Sequence, residues 1–301
     1  MNLDPRPVVV LGGTGMVGRT LVRELFYSGQ HVRVACRRPV LPNDVEADDP
    51  IFACPCDITD EESLKPVLEG ARAVVNAVSL YQQHRNTSFQ QIHVEGAARL
   101  ARLARAAGVD QYLQISGIGA RLDSPSPYVR SRAEGERAVM AEIARAIILR
   151  PSVMYGPDQG LVATLARLTR LPLVPLFGDG EVRLQPLHVG DFASAISRLT
   201  ARPETPQALF ELGGPDRLSW RQLVTLVAAH LDRDPRLVPV PMAVWHALAI
   251  GMSVLPSPPL TRDMLWLLAE DNTVGDNVAG FRQLDITPRT LRESLPACLP
   301  H

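Results

Sequence analysis

The sequence predicts an α/β fold: a doubly wound parallel sheet with helices on both faces and a smaller mixed lobe toward the C-terminus. Three observations predict it. Strand-like and helix-like stretches alternate from Val8 to Leu149, and such alternation closes as a parallel sheet with right-handed crossovers. A glycine run, Gly12-Gly13-Thr14-Gly15-Met16-Val17-Gly18, joins the first strand to the first helix. After Pro151 the texture changes to prolines and short elements, among them Pro172, Pro175, Pro186, Pro215, Pro239 and Pro241. We therefore expect one unit over residues 1–157 and a smaller one over 158–301, partly interleaved with the sheet and laid across the carboxyl edge of its strands.

The elements follow in order. Val8-Val9-Val10-Leu11 is a β-branched run that ends in glycines, as a buried parallel strand does. Val17, Leu21, Val22, Leu25 and Phe26 fall at helical spacing, and Ser28-Gly29 ends that helix. Residues 31–36 read as a second strand, 39–50 as a loop and 51–54 as a third strand. Thr59 or Asp60 can cap a helix that runs to Gly70, and residues 73–77 form a fourth strand. A long helix over 89–107 stops at Gly108, and a fifth strand occupies 111–115. Pro127 opens a helix to residue 143 at a position where a missing N–H costs nothing, and residues 146–149 form the sixth strand.

Composition narrows the function classes. Hydrophobic residues make up 46% and charged residues 21%, the balance of an ordinary globular chain. A formal net charge of -1 provides no field to attract nucleic acid. Nearly all the basic residues are arginine, and Lys65 is the only lysine. Cys36, Cys54, Cys56 and Cys298 form no CxxC pair and no His/Cys cluster at metal spacing. They read as reduced cysteines of a cytoplasmic protein, and no metal is expected. The first seven residues lack the charged-then-apolar layout of a signal. The most apolar stretch, 242–255, is shorter than the ~20 residues a spanning helix needs. A buried helix is expected there, with a surface for a membrane or a large partner as the alternative.

The glycine run carries chemistry because it follows a buried strand and opens a helix. Gly12 permits a tight turn, Gly15 lets backbone approach a pyrophosphate, and Gly18 lets the helix pack close to the sheet. The helix N-terminus then offers free N–H groups and the positive end of its dipole to phosphates. This is the layout of a Rossmann dinucleotide site. The second strand ends in Arg37-Arg38, where an NAD site usually places a carboxylate for the ribose. Guanidinium forks suit a 2'-phosphate, so NADP(H) is expected over NAD(H). Asp57, after the third strand, is placed to meet the adenine edge.

Beyond the glycines, the chain carries Asp57-Ile58, Asn76-Ala77, Ser116, Tyr128-Val129-Arg130-Ser131-Arg132 and Leu149-Arg150-Pro151-Ser152-Val153-Met154-Tyr155-Gly156-Pro157 in that order. With the glycine run, these resemble the extended and atypical branches of the short-chain dehydrogenase/reductase superfamily, which include epimerase/dehydratase-like proteins. Gln185-Pro186-Leu187-His188-Val189-Gly190-Asp191 and Leu291-Arg292-Glu293-Ser294-Leu295-Pro296 are similar to the atypical group that holds the NADPH-binding accessory subunit of respiratory complex I and its bacterial relatives. The resemblance implies that Thr14, Met16, Val17, Ile58, Asn76, Ala77, Val78 and Pro151 join Gly12, Gly15, Gly18, Arg37, Arg38 and Asp57 around the nucleotide, with Tyr128 and Arg132 at its nicotinamide end.

It also implies an active site of Ser, Tyr and Lys, the last two one helical turn apart on one face. Tyr128 and Ser116 match. The lysine position holds Arg132, a departure from the pattern. A free phenol has a pKa of about 10 and needs a neighbouring cation to work as acid or base near neutrality. Arginine keeps the charge but stays protonated and cannot join a proton relay. Two readings follow. Tyr128, Ser116 and Arg132 act on an unidentified small carbonyl or hydroxyl substrate, as an oxidoreductase or epimerase. Or the nucleotide is a structural or sensing ligand of an accessory or assembly factor, whose partner is a protein or a peripheral complex of the inner membrane. Tyr81 and His84 are candidates for the pocket wall, His188 and Asp191 read as pocket wall and helix cap, and His93 reads as structural. Trp220, Trp245 and Trp266 read as core or interface.

Overall fold

The computed structural model describes residues 4–43, 45–46, 49–83, 87–157, 159–202, 205–206, 208–253 and 260–299. The chain begins with β1 (Val8–Leu11), α1 (Met16–Tyr27), β2 (Val32–Cys36), β3 (Ile51–Pro55), α2 (Glu61–Leu68) and β4 (Ala73–Asn76). A π-helical segment, Gln90–Gly96, continues as α3 (Ala97–Ala106), followed by β5 (Gln111–Ile115), α4 (Pro127–Glu142) and β6 (Ile147–Pro151). Then come β7 (Met154–Gly156), α5 (Gly160–Leu168), β8 (Leu173–Phe177), β9 (Arg183–Leu184), β10 (Leu187–His188), α6 (Val189–Thr200) and β11 (Leu209–Leu212). The last elements are β12 (Leu218–Ser219), α7 (Trp220–His230), β13 (Arg236–Val240), α8 (Met242–Met252), α9 (Arg262–Leu268) and α10 (Leu291–Cys298).

Seven strands form one sheet in the order β11-β6-β5-β4-β1-β2-β3, and every pair is parallel. Alternation along β1 explains the layers. Val8 and Val10 face a core shared with Leu21 and Leu25 of α1 and Phe192, Ile196 and Leu199 of α6. Val9 and Leu11 face the other core, with Leu64 and Leu68 of α2, Leu100 of α3 and Val139 of α4. Each fully buried aliphatic side chain contributes roughly 2 kcal/mol of transfer free energy, so a strand slipped by one residue would forfeit both cores. The order of strands reverses at β1, between β2 and β4, and the carboxyl edge there is where open α/β sheets take ligands.

Four local expectations need correction. The helix over 89–107 begins as π-helix, and within it the buried His93 accepts a hydrogen bond from Leu80 N–H. The sixth strand extends to Pro151. Asp191 does not cap α6. His188 does, its Nδ1 accepting from Gly190 N–H, while Asp191 in the first turn pairs with Arg289. Finally, the apolar helix expected to be buried is α8, in which only Ala249 is buried. Val244, Leu248 and Ile250 stand exposed. The reason is thin cover: α8 rests by Trp245 on the two-stranded ribbon of β8 and β13, with Trp245 Nε1–H donating to Leu176 O at 3.0 Å. Residues 254 and 255 of that stretch lie outside the described residues. No described helix is long and apolar enough to cross a membrane.

Candidate functional site

A cleft of about 950 Å³ opens at the carboxyl ends of β1, β2 and β4. Of the residues expected at a nucleotide, Gly12, Thr14, Gly15, Arg37, Arg38, Asp57, Ile58, Ala77 and Val78 line it. The turn is built by close approach. Gly12 has φ +77, and a Cβ there would lie 2.9 Å from the carbonyl carbon and oxygen of Ala77. A Cβ on Gly18 would lie 2.1 Å from Gly12 O, so α1 packs directly on the loop. The first intrahelical bond of α1 runs from Arg19 N–H to Gly15 O at 2.9 Å. The N–H groups of Met16, Val17 and Gly18 therefore have no acceptor within the helix, the arrangement that binds anions.

Arg37 and Arg38 are exposed on the cleft wall. Neither makes a hydrogen bond or ion pair among the described residues, so both forks are available to an anion. Asp57 is partly committed to its own turn: its Oδ1 accepts from Thr59 N–H at 2.9 Å and Thr59 Oγ1 at 2.8 Å. Asn76 is buried, donates to Gln114 Oε1 at 3.0 Å and accepts from Val78 N–H at 3.1 Å. It shapes the loop after β4 and is not part of the cleft wall. Met16, Val17, Gly18 and Pro151 also stay out of the wall. Cys36, Thr59, Ser79, Leu80 and Gln91 line it without having been expected. Ser79 could have been found by following the loop after Asn76-Ala77-Val78 by one residue.

The second group lies beside Ser79. Ser126 caps α4, accepting from Val129 N–H, and so places Tyr128 in the first turn. Arg132 follows one turn later and is buried. Its Nε and Nη2 both reach Tyr128 Oη at 3.4 Å, and its Cζ lies 5.3 Å from the phenol centroid. It also donates to Ile115 O at 3.3 Å and to Ser79 Oγ. Ser79 therefore touches both the cleft and Arg132. Ser116 follows β5 and is buried, and its Oγ has no hydrogen-bond partner among the described residues. A buried hydroxyl left unpaired carries a desolvation cost that a ligand oxygen would relieve.

Aromatic rings frame Tyr128. Tyr81 stacks on it at 5.9 Å, and Phe89 and His93 meet it edge-on at 5.6 Å. His84 lies outside the described residues. His93 does more than fill a helix face. Its Nε2 accepts from Leu80 N–H at 3.0 Å, which leaves the ring proton on Nδ1, 2.8 Å from Ser131 Oγ. Burial first, and the charge of Arg132 second, push its pKa down to about 2. The unfolded imidazole takes a proton near pH 6.5 and the folded one does not until about pH 2. Folding stability therefore falls with pH below about 6.5, by up to ~1.4 kcal/mol per pH unit from this group. In His93→Gln that share of the acid slope is expected to vanish. Urea denaturation between pH 6 and 4.5 checks it, and equal slopes for the two proteins would contradict it.

The parallel sheet, the glycine turn and the cleft at its switch point define an NAD(P)-binding protein with the Rossmann fold. The chain belongs to the NAD dependent epimerase/dehydratase family, whose model matches residues 8–213. It is 31% identical over 302 residues to "NADH dehydrogenase [ubiquinone] 1 alpha subcomplex subunit 9, mitochondrial" of Arabidopsis thaliana, covering 94% of this chain and 74% of that one. It is 32% identical over 249 residues to "Ceramide reductase" of Caulobacter vibrioides, covering 80% and 76%. Among solved structures it shares its fold with DesIV, a dTDP-glucose 4,6-dehydratase from Streptomyces venezuelae with NAD and TYD bound, at a TM-score of 0.73 and 21% identity, covering 97% of this chain and 95% of that one.

Proposed function

We propose that this chain is an NADP(H)-dependent oxidoreductase acting on a carbonyl or hydroxyl of a small substrate, with epimerisation through the same redox step as a variant of that chemistry. The observation that carries the proposal is the 3.4 Å approach of the Arg132 guanidinium to the Tyr128 hydroxyl. When bound, the nucleotide supplies or accepts hydride. Tyr128 donates its proton to the substrate oxygen as negative charge develops there. Arg132 stabilises the phenolate that remains, in a site where buried charge acts strongly. Ser116 donates its unpartnered hydroxyl to the same oxygen. Arg132 keeps its protons throughout, so the phenol is reprotonated from elsewhere. A relative named as a reductase supports this reading.

The unpaired forks of Arg37 and Arg38 support NADP(H) over NAD(H). Arg37→Ala and Arg38→Ala are each expected to weaken NADPH binding by roughly 10- to 100-fold, the loss of charge-assisted hydrogen bonds, and to leave NADH binding within about twofold. Calorimetric titration checks both. An unchanged NADPH preference in both variants would remove the arginines from the 2'-phosphate site.

A second reading has its own observation. The exposed apolar face of α8, with Val244, Leu248 and Ile250, suits a contact with a larger assembly, and several relatives are named as alpha subcomplex subunits of a mitochondrial NADH dehydrogenase [ubiquinone]. In that reading the chain is a non-catalytic accessory, assembly or redox-sensing protein. It works in the cytoplasm at the periphery of a membrane complex. NADPH oxidation against a panel of carbonyls separates the two. Turnover that disappears in Tyr128→Phe supports the first, and tight NADPH binding with no turnover supports the second.

A further inference from the structure

Tyr128, Arg132 and Glu136 follow each other at one-turn spacing along one face of α4. Long side chains on a helix lean toward its N-terminus. Arg132 thus leans to Tyr128, and Glu136 would lean to Arg132. Opposite charges at this spacing can pair, although an acid C-terminal to its base is the weaker orientation. Here they do not: among the described residues no carboxylate lies within ion-pair distance of Arg132.

Glu136 is turned aside by Arg150 of β6. Arg150 Nε donates to Glu136 Oε1 at 2.9 Å and Nη2 to Oε2 at 2.6 Å, a two-pronged clamp that takes both oxygens. Its remaining arm, Nη1, reaches Glu211 Oε1 on β11 at 3.4 Å. The other oxygen of Glu211 accepts from Gly275 N–H at 3.0 Å. Both acids are nearly buried, with side chains 9% and 10% exposed. Two guanidiniums and two carboxylates balance in sum, yet they are segregated. Arg150 holds both acids, while among the described residues Arg132 has only neutral acceptors: Tyr128 Oη, Ser79 Oγ and Ile115 O. A buried cation with neutral partners stabilises negative charge that develops on one of them. A carboxylate seated on it would cancel that effect.

We propose that Arg150 is a positioning residue: by clamping Glu136 it keeps Arg132 unpaired and directed at the Tyr128 hydroxyl. The catalytic consequence rests on Tyr128 acting as acid or base, but the clamp itself is testable without a substrate. Arg150→Lys keeps the charge and loses the fork. In the wild-type background, the effects of Arg132→Met and Glu136→Gln on the unfolding equilibrium are expected to multiply independently. In Arg150→Lys, the released Glu136 reaches Arg132, and the two changes should depart from independence by roughly 5-fold. Coupling already present in the wild type, or still absent in Arg150→Lys, overturns the proposal. Should Arg150→Lys not fold, Arg150→Met combined with Glu211→Gln removes charge in a pair and carries the same cycle.

A second arm reads catalysis on any carbonyl that the panel identifies. Arg150→Lys is expected to lower kcat roughly 10-fold with little change in KM. Adding Glu136→Gln should restore kcat to within about threefold of wild type. A merely structural role for Arg150 predicts no such rescue, and a double variant no better than Arg150→Lys overturns the proposal. Absence of turnover in the wild type counts against the oxidoreductase reading alone, and the unfolding cycle still decides the role of Arg150.

Discussion

Gly18→Ala is expected to lower the unfolding free energy by about 3 kcal/mol or more and to abolish tight nucleotide binding. The added Cβ would lie 2.1 Å from Gly12 O and 2.7 Å from Gly13 Cα. Both are backbone atoms, so no side-chain rotation relieves the clash. Helix α1 would have to lift from the loop, and it carries Leu21 and Leu25 into the core against β1. The same lift would displace the free N–H groups of Met16 and Val17. Gly15→Ala is the comparison. Its Cβ would meet Gly12 O at 3.4 Å, an ordinary contact, but Gly15 lines the cleft. That variant should fold as the wild type does and bind NADPH less tightly. Urea denaturation and NADPH fluorescence titration of the two variants check the pair. A Gly18→Ala protein with wild-type midpoint and affinity would contradict the packing described here.

Tyr128→Phe is expected to reduce turnover by roughly 10²- to 10⁴-fold, the range for loss of a positioned general acid or base. NADPH affinity should change little, because Tyr128 lies outside the walls of the cleft. The ring is held by neighbours that do not need the hydroxyl: Tyr81 stacks on it, and Phe89 and His93 meet it edge-on. Phenylalanine keeps these contacts. The change removes the Oη that accepts from Nε and Nη2 of the buried Arg132, so stability should fall by about 1 to 3 kcal/mol. Steady-state NADPH oxidation with denaturation on the same protein separates the terms. Turnover retained in a well-folded Tyr128→Phe protein would exclude the phenol from the chemistry.

The nucleotide half of the fold was legible because its signals are local. A β-branched run, a glycine turn and a helical period lie within one stretch of chain from Val8 to Tyr27, and each needs only near neighbours to be understood. The end of β2 was legible for the same reason: Arg37 and Arg38 stand on the cleft wall where the register of the strand puts them. What escaped sequence reasoning depends on partners far along the chain. The π-helical start before α3 holds His93, whose partners Leu80 and Ser131 lie on other elements. β11 reads Leu209-Phe210-Glu211-Leu212: it lacks the β-branched residues that mark β1 and β4, and Glu211 interrupts its apolar run. Its acid makes sense only beside Arg150. The exposure of α8 depends on the ribbon beneath it, and an apolar stretch alone cannot reveal how many layers will cover it.

Arg132 shows both sides of this. The one-turn spacing from Tyr128 was visible in the sequence. Its bonds to Ser79 and Ile115, which hold the guanidinium across the ends of β4 and β5, come from two other elements. The same holds for the clamp that removes Glu136 from its reach.

The cleft above the glycine turn is proposed to take NADP(H), with Arg37 and Arg38 on the 2'-phosphate. Calorimetric titration of the wild-type protein with NADPH and with NADH decides it. One nucleotide per chain and at least tenfold tighter binding of NADPH, about 1.4 kcal/mol or more, are expected. Equal affinities, or a preference for NADH, would contradict it.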